Sequence, residues 1–205
     1  MLQVRGVNGP INGKFRVAAV TGLTAGIAAG GCIFSFQFAP PNTNTRCLIT
    51  DLRLKAQIIT PFTAANEITC SSYIARSWSG ADSGGTALSL TGLYNNISSC
   101  DPSYTSYAAI RAASASAITV GTRTVDANPF MALPASQPGS SLSAQAYFET
   151  DLPNVDDQRF GINLSQNEGI VVTLQAAQGA GGTVRYSTEI EWMEYVTNSV
   201  GVYGG

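Results

Sequence analysis

Residues 183–195, TVRYSTEIEWMEY, decide the fold class. Taken two at a time, Val184, Tyr186, Thr188, Ile190 and Trp192 fall on one side, and Arg185, Ser187, Glu189, Glu191 and Met193 on the other. That alternation is the mark of a β-strand with one face in a core and the other against water or a partner. Just upstream, Glu168-Gly169-Ile170-Val171-Val172-Thr173-Leu174 reads as a second strand, and the link Gly179-Ala180-Gly181-Gly182 turns one into the other.

Working outward, Arg46 to Ile58 is the clearest internal strand. Leu48, Thr50, Leu52, Leu54, Ala56 and Ile58 are expected inward, with Asp51, Arg53, Lys55 and Gln57 outward. Glu67 to Trp78 is another, with Ile68, Cys70, Ser72 and Ile74 inward. The uncharged stretch from Val17 to Thr45 carries Gly22, Gly26 and Gly30 at the spacing of a membrane helix-pairing motif. The Gly30-Gly31 pair, the polar residues and the alternation of Phe34, Phe36 and Phe38 instead favour two strands, Phe15–Thr21 and Cys32–Phe38, joined by a loop. Ala117–Thr124 and Ala144–Glu149 read as short strands, and Ser79–Gly85 as a loose glycine-rich loop. Within 88–116, the segment Tyr107–Ala113 fits a strand or one helical turn equally. Eight to ten short strands with turn signals between them predict an all-β sandwich or barrel. One domain spans 14–197, flanked by an N-terminal arm at 1–13 and a flexible tail at 198–205. The arm, MLQVRGVNGPING, has scattered apolar residues but no periodicity, and is expected to dock on a neighbouring subunit.

Composition excludes several function classes. Only 12% of the 205 residues are charged, about half the usual share, which favours burial of surface in an assembly. Net charge is −2 with two lysines, Lys14 and Lys55, and no basic cluster, so nucleic acid is not an expected partner. There is no histidine, and Cys32, Cys47, Cys70 and Cys100 form no C-x-x-C pair, which removes nearly every zinc arrangement. The N-terminal residues lack the shape of a signal peptide. A reducing cytoplasm and four free thiols are therefore expected.

Catalytic equipment is sparse. Without histidine, the common nucleophile–base arrangements are gone. Paired carboxylates remain, with Glu189, Glu191, Asp156 and Asp157 as candidates, although a solvated strand face accounts for the first two. Asp151, Asn154, Asp156 and Asp157 could hold calcium through oxygen, but ordinary turn formers read the same way. Trp78 beside Tyr73 could bind a sugar ring or could close the edge of a core. No catalytic, cofactor-binding or metal residue is assigned, and the chain is read as a non-enzyme.

Four stretches together carry a resemblance: Phe15-Arg16-Val17-Ala18-Ala19-Val20-Thr21-Gly22; Ile74-Ala75-Arg76-Ser77-Trp78 followed by Gly84-Gly85-Thr86; Glu168-Gly169-Ile170-Val171-Val172; and Glu191-Trp192-Met193-Glu194-Tyr195. Their order, spanning Lys14 to Tyr195, resembles that of small jelly-roll structural proteins of tailed bacteriophage virions. These decorate or cement the capsid lattice, often as trimers. The resemblance implies a jelly-roll-like antiparallel β-sandwich on the capsid surface, made in the bacterial host cytoplasm. It further implies the major capsid protein as partner, a homotrimer, and no nucleic acid, membrane or cofactor. A tail or fibre protein binding host surface glycan is the alternative on the same fold.

Overall fold

The computed structural model describes residues 11–90, 96–99, 104–139, 147–152 and 161–197. All regular structure among them is strand. In chain order the first eight are β1 (Ile11–Val20), β2 (Cys32–Phe38), β3 (Thr45–Thr60), β4 (Asn66–Glu67), β5 (Cys70–Trp78), β6 (Thr86–Leu88), β7 (Asn96–Ser99) and β8 (Ala108–Ala112). There follow β9 (Arg123–Val125), β10 (Met131–Leu133), β11 (Ser136–Gln137), β12 (Tyr147–Asp151), β13 (Ile162–Leu164), β14 (Glu168–Leu174) and β15 (Thr183–Val196). The first sheet runs β12-β3-β15-β1-β7 with β13 also on β3. The second runs β10-β5-β14-β2-β8-β6 with β9 also on β5. Every pairing is antiparallel, including the small β11–β4 pair. The expected all-β sandwich is what forms.

Successive long strands alternate between the sheets. β1 and β3 lie in the first, β2 and β5 in the second, and the last two strands return into the gaps. β15 sits between β1 and β3, and β14 between β2 and β5. The glycine-rich link 179–182 therefore does not join a paired hairpin. It carries the chain from one sheet to the other, with Gly181 at φ 78°, a conformation that favours glycine. The uncharged segment 17–45 resolves into the end of β1, a loop and β2. No helix among the described residues is long and apolar enough to cross a membrane. Tyr107–Ala113 settles as strand β8, paired with β2 and β6. Ile11, Asn12 and Gly13, placed in the arm by the sequence, belong to β1, with Ile11 opposite Tyr195. Residues 1–10 and 198–205, the rest of the arm and the tail, lie outside the described residues.

The alternation in β15 holds through Val184, Tyr186, Thr188, Ile190 and Trp192, all buried. In β3 it does not hold throughout. Leu52, Leu54, Ala56 and Ile58 face the core as expected, but the pairing with β15 shifts between Glu191 and Trp192, opposite Asp51 and Ile49. Thr50 is the extra residue of this β-bulge, and before it the face flips. Cys47 and Ile49 join the core cluster in place of the expected Leu48 and Thr50, while Leu48 is buried beneath Gly161. Between the sheets, Trp192 stacks on Phe15 at 5.4 Å and meets Phe36 edge-on at 5.2 Å. Truncation of Trp192 to alanine is expected to lower stability by about 3–5 kcal/mol, read from chemical denaturation. An unchanged midpoint would contradict the register of β15.

Cys32, Cys47 and Cys70 are free and buried, and Cys100 lies outside the described residues. Burial pushes the Cys70 thiol up to about 12 and drives Cys47 well above the usual thiol range. Thiolate, the reactive form, is scarce at these sites. A thiol reagent at neutral pH should leave these three untouched in the folded protein. The same reagent should find at least three thiols per chain after denaturation without reductant; two or fewer would reveal a disulfide.

Candidate functional site

The outer face of the first sheet collects Glu189 and Glu191, the carboxylates singled out for hydrolysis. Cross-strand rows set Arg16 beside Glu191 and Asp51, and Glu189 beside Arg53 and Asp151. Glu191 accepts from Arg16 Nη2 at 2.6 Å and Nε at 3.1 Å, and pairs with Lys14 Nζ at 2.5 Å. Lys55 holds Glu189 at 2.6 Å and approaches Glu149 at 3.7 Å. Burial pushes the Glu191 carboxyl up, but Lys14 and Arg16 outweigh it and hold the group below its usual range. A general acid needs the opposite tuning. A cleft of about 220 Å³ lies over this face, lined by Arg16, Asp51, Arg53, Glu189 and Glu191 among others. Arg53 Nε pairs with Asp51 Oδ2 at 3.3 Å, while Asp51 Oδ1 is buried there without a hydrogen-bond partner.

The outer face of the second sheet is built differently. Trp78, at the end of β5, is only 4% exposed. Its ring lies against Gly169 so closely that a Cβ there would come within 2.8 Å of Cζ3 and 2.0 Å of the Phe36 carbonyl. Arg123 covers the indole, with Cζ 4.9 Å from the ring centroid, a cation–π arrangement. Arg123 also pairs with Asp82, and both side chains are almost fully buried. Asp82 further accepts from the Gly121 amide at 2.8 Å. Segment 79–85, expected to be loose, is therefore packed: Ser79 and Gly80 donate to the Thr122 carbonyl, and Ser83 bridges Thr119. Tyr73 is half-buried, its hydroxyl accepting from the Gln175 amide at 3.0 Å. The exposed Tyr73–Trp78 platform that would suit a sugar ring does not form. Beside Trp78 opens a cleft of about 320 Å³, lined by Ser35, Gln37, Ala81, Asp82, Leu88, Ala109 and Arg111 among others.

Sequence reasoning missed Glu194. It is fully buried on the core face of β15, two residues beyond Trp192. It accepts from Trp192 Nε1 at 3.0 Å, Tyr104 Oη at 2.8 Å, Ser106 Oγ at 2.5 Å and the Tyr107 amide at 3.2 Å. No salt bridge to it occurs among the described residues. Burial and then Glu194 push the Tyr104 hydroxyl up, so Tyr104 stays a donor. The period-two pattern carried one step further, 190-192-194, was the available signal. Asp82 and Arg123 had no such signal, being 41 positions apart.

Asn154, Asp156 and Asp157 lie outside the described residues, and Asp151 stands opposite Arg53 at the end of β12. Among the described residues no three His, Cys, Asp or Glu side chains gather into a metal-holding group.

Because Glu191 is held below its unfolded value of about 4.5, its contribution to stability is present above that pH. The contribution is lost as pH falls through the lower, folded value. Thermal melting of the wild type and Glu191→Gln should therefore differ at neutral pH, with the wild type more stable, and converge in acid. A gap that stays constant to the acid limit would show that the ion pairs with Lys14 and Arg16 do not couple to folding.

No protein-family model matches this chain, and a search of curated proteins returns no relative.

Proposed function

We propose that this protein is a structural subunit of a bacteriophage virion, a cement or decoration protein that holds the capsid lattice together by burying surface against its neighbours. The strand order carries the reading. Insertion of β14 and β15 between the strands that open the chain is what results when a long antiparallel ribbon is rolled into a double sheet, and it supports a jelly roll in particular. That is the form implied by the resemblance to phage head proteins. The surface supports it as well. Charge is scarce, and Val20, Leu23 and Val120 are 51%, 43% and 49% exposed, a surface that loses little by being covered.

In this reading the chain acts by association, not by catalysis, and needs no cofactor. A homotrimer seated where capsomers meet would join neighbouring copies of the major capsid protein through interfaces of roughly 1,200–2,000 Å² each. Stabilisation would be shared among many copies, opposing pressure from packaged DNA. The rival reading, a tail or fibre protein gripping host glycan, would be favoured by an exposed aromatic platform at Tyr73 and Trp78. The covering of Trp78 by Arg123 weighs against it.

The test is localisation. Gold-labelled antibody against the recombinant protein should decorate the heads of intact particles, and protein stripped from heads should rebind them. Labelling confined to tails would overturn the head reading in favour of the fibre, and particles lacking the protein altogether would overturn both.

A further inference from the structure

We propose that the cleft beside Trp78 binds a small carboxylate-bearing sugar, a ligand with the chemistry of a uronic acid. This inference is independent of the virion reading, because the cleft would serve a lattice subunit or a free binding module alike.

The cleft is a trough on the outer face of the second sheet. Its floor comes from Ser35 and Gln37 of β2 and from Ala109 and Arg111 of β8, and one wall from Trp78 and Asp82. At about 320 Å³ it is large enough for a single sugar ring, at the small end of ligand sites. The wall is costly to build. The Asp82–Arg123 pair is withdrawn from water, and Trp78 Nε1 is buried with no hydrogen-bond partner. A buried ion pair is weak evidence for stability, and an orphan donor is a direct loss. Trp78 and Asp82 both line the cleft, the indole being packed at the same time into the buried apolar cluster. Costs gathered at the edge of a cleft are where functional geometry is to be sought.

The lining selects the ligand. Arg123 neutralises Asp82, so Arg111 supplies the uncompensated charge of the cleft. Arg111 gives one N–H to the Gly84 carbonyl at 2.8 Å, which orients the guanidinium and leaves further donors. A planar guanidinium matches a carboxylate through two parallel hydrogen bonds. The Gln37 amide and Ser35 hydroxyl make no side-chain hydrogen bond to the described residues, so they stand ready for ligand hydroxyls. Leu88, Ala109 and the indole edge offer apolar contact to ring carbons. Arg123 covers one face of the indole and the residue is 4% exposed, so no open ring face is left for stacking.

The experiment is calorimetric titration of the folded protein with glucuronate, glucose and acetate. Glucuronate should bind saturably. Glucose, lacking the carboxylate, and acetate, lacking the hydroxyls, should each bind at least about tenfold more weakly. Ala109→Trp, which fills the floor at an exposed position, should abolish binding without changing the melting temperature. Arg111→Lys, which keeps the charge but loses the fork, should weaken glucuronate about tenfold while glucose is unaffected. Absence of saturable glucuronate binding, equal binding of glucose, or binding that survives Ala109→Trp would each overturn the proposal. Particle labelling is unaffected by any of these outcomes, so the two readings fail separately.

Discussion

Trp192 and Glu194 form the contact on which the rest of the sandwich depends. The indole lies between Phe15 of its own sheet and Phe36 of the other, so one side chain couples β1, β2 and β15. Aromatic packing at this depth brings a polar difficulty, since the indole N–H has no water to reach. Glu194 answers it from two residues along the same face. A carboxylate in a core is costly when unpaired. Here three further donors from Tyr104, Ser106 and the Tyr107 backbone satisfy it, and they pin segment 104–107 to the closing strand. Cys47 lies close enough for Glu194 to add to the upward push of burial on its thiol.

Scarcity of charge shapes the two outer faces in opposite ways. On the first sheet, cations and carboxylates alternate across strands and neutralise one another in partly exposed pairs, each worth little alone. On the second, a single pair is withdrawn from water and braces a tryptophan against a glycine. The loops 21–31, 113–122 and 175–182 carry no charge at all. Hydrogen bonds from Gly22 to Ala113 and from Gln178 to Ile27 bring them together at one end of the molecule. Covering these loops would desolvate no ion of their own.

Much of the fold was legible because strand periodicity is local. The inward residues of β15, the phenylalanines of β2 and the run Leu52 to Ile58 follow from alternation alone. Legibility failed where geometry depends on a neighbouring strand. The bulge at Thr50 cannot be seen in β3 itself, because it exists only in register with β15. Segment 79–85 reads as loose until Arg123 arrives to bury Asp82. The cleft beside Trp78 joins β2, β5, β6 and β8, which no sequence window contains.

What the sequence by itself determined is the class of the protein: strands, their buried faces, the small number of charges and the lack of histidine. Only the tertiary structure decided which strands pair, where β3 changes face, and which carboxylates lie in the core, in an ion-pair row or beside a cleft. The physical reason is that a strand's backbone donors and acceptors are alike along its length and accept any antiparallel partner. Partner choice is settled by side chains far away in sequence, and for this chain Trp192 makes that choice by meeting Phe15 and Phe36.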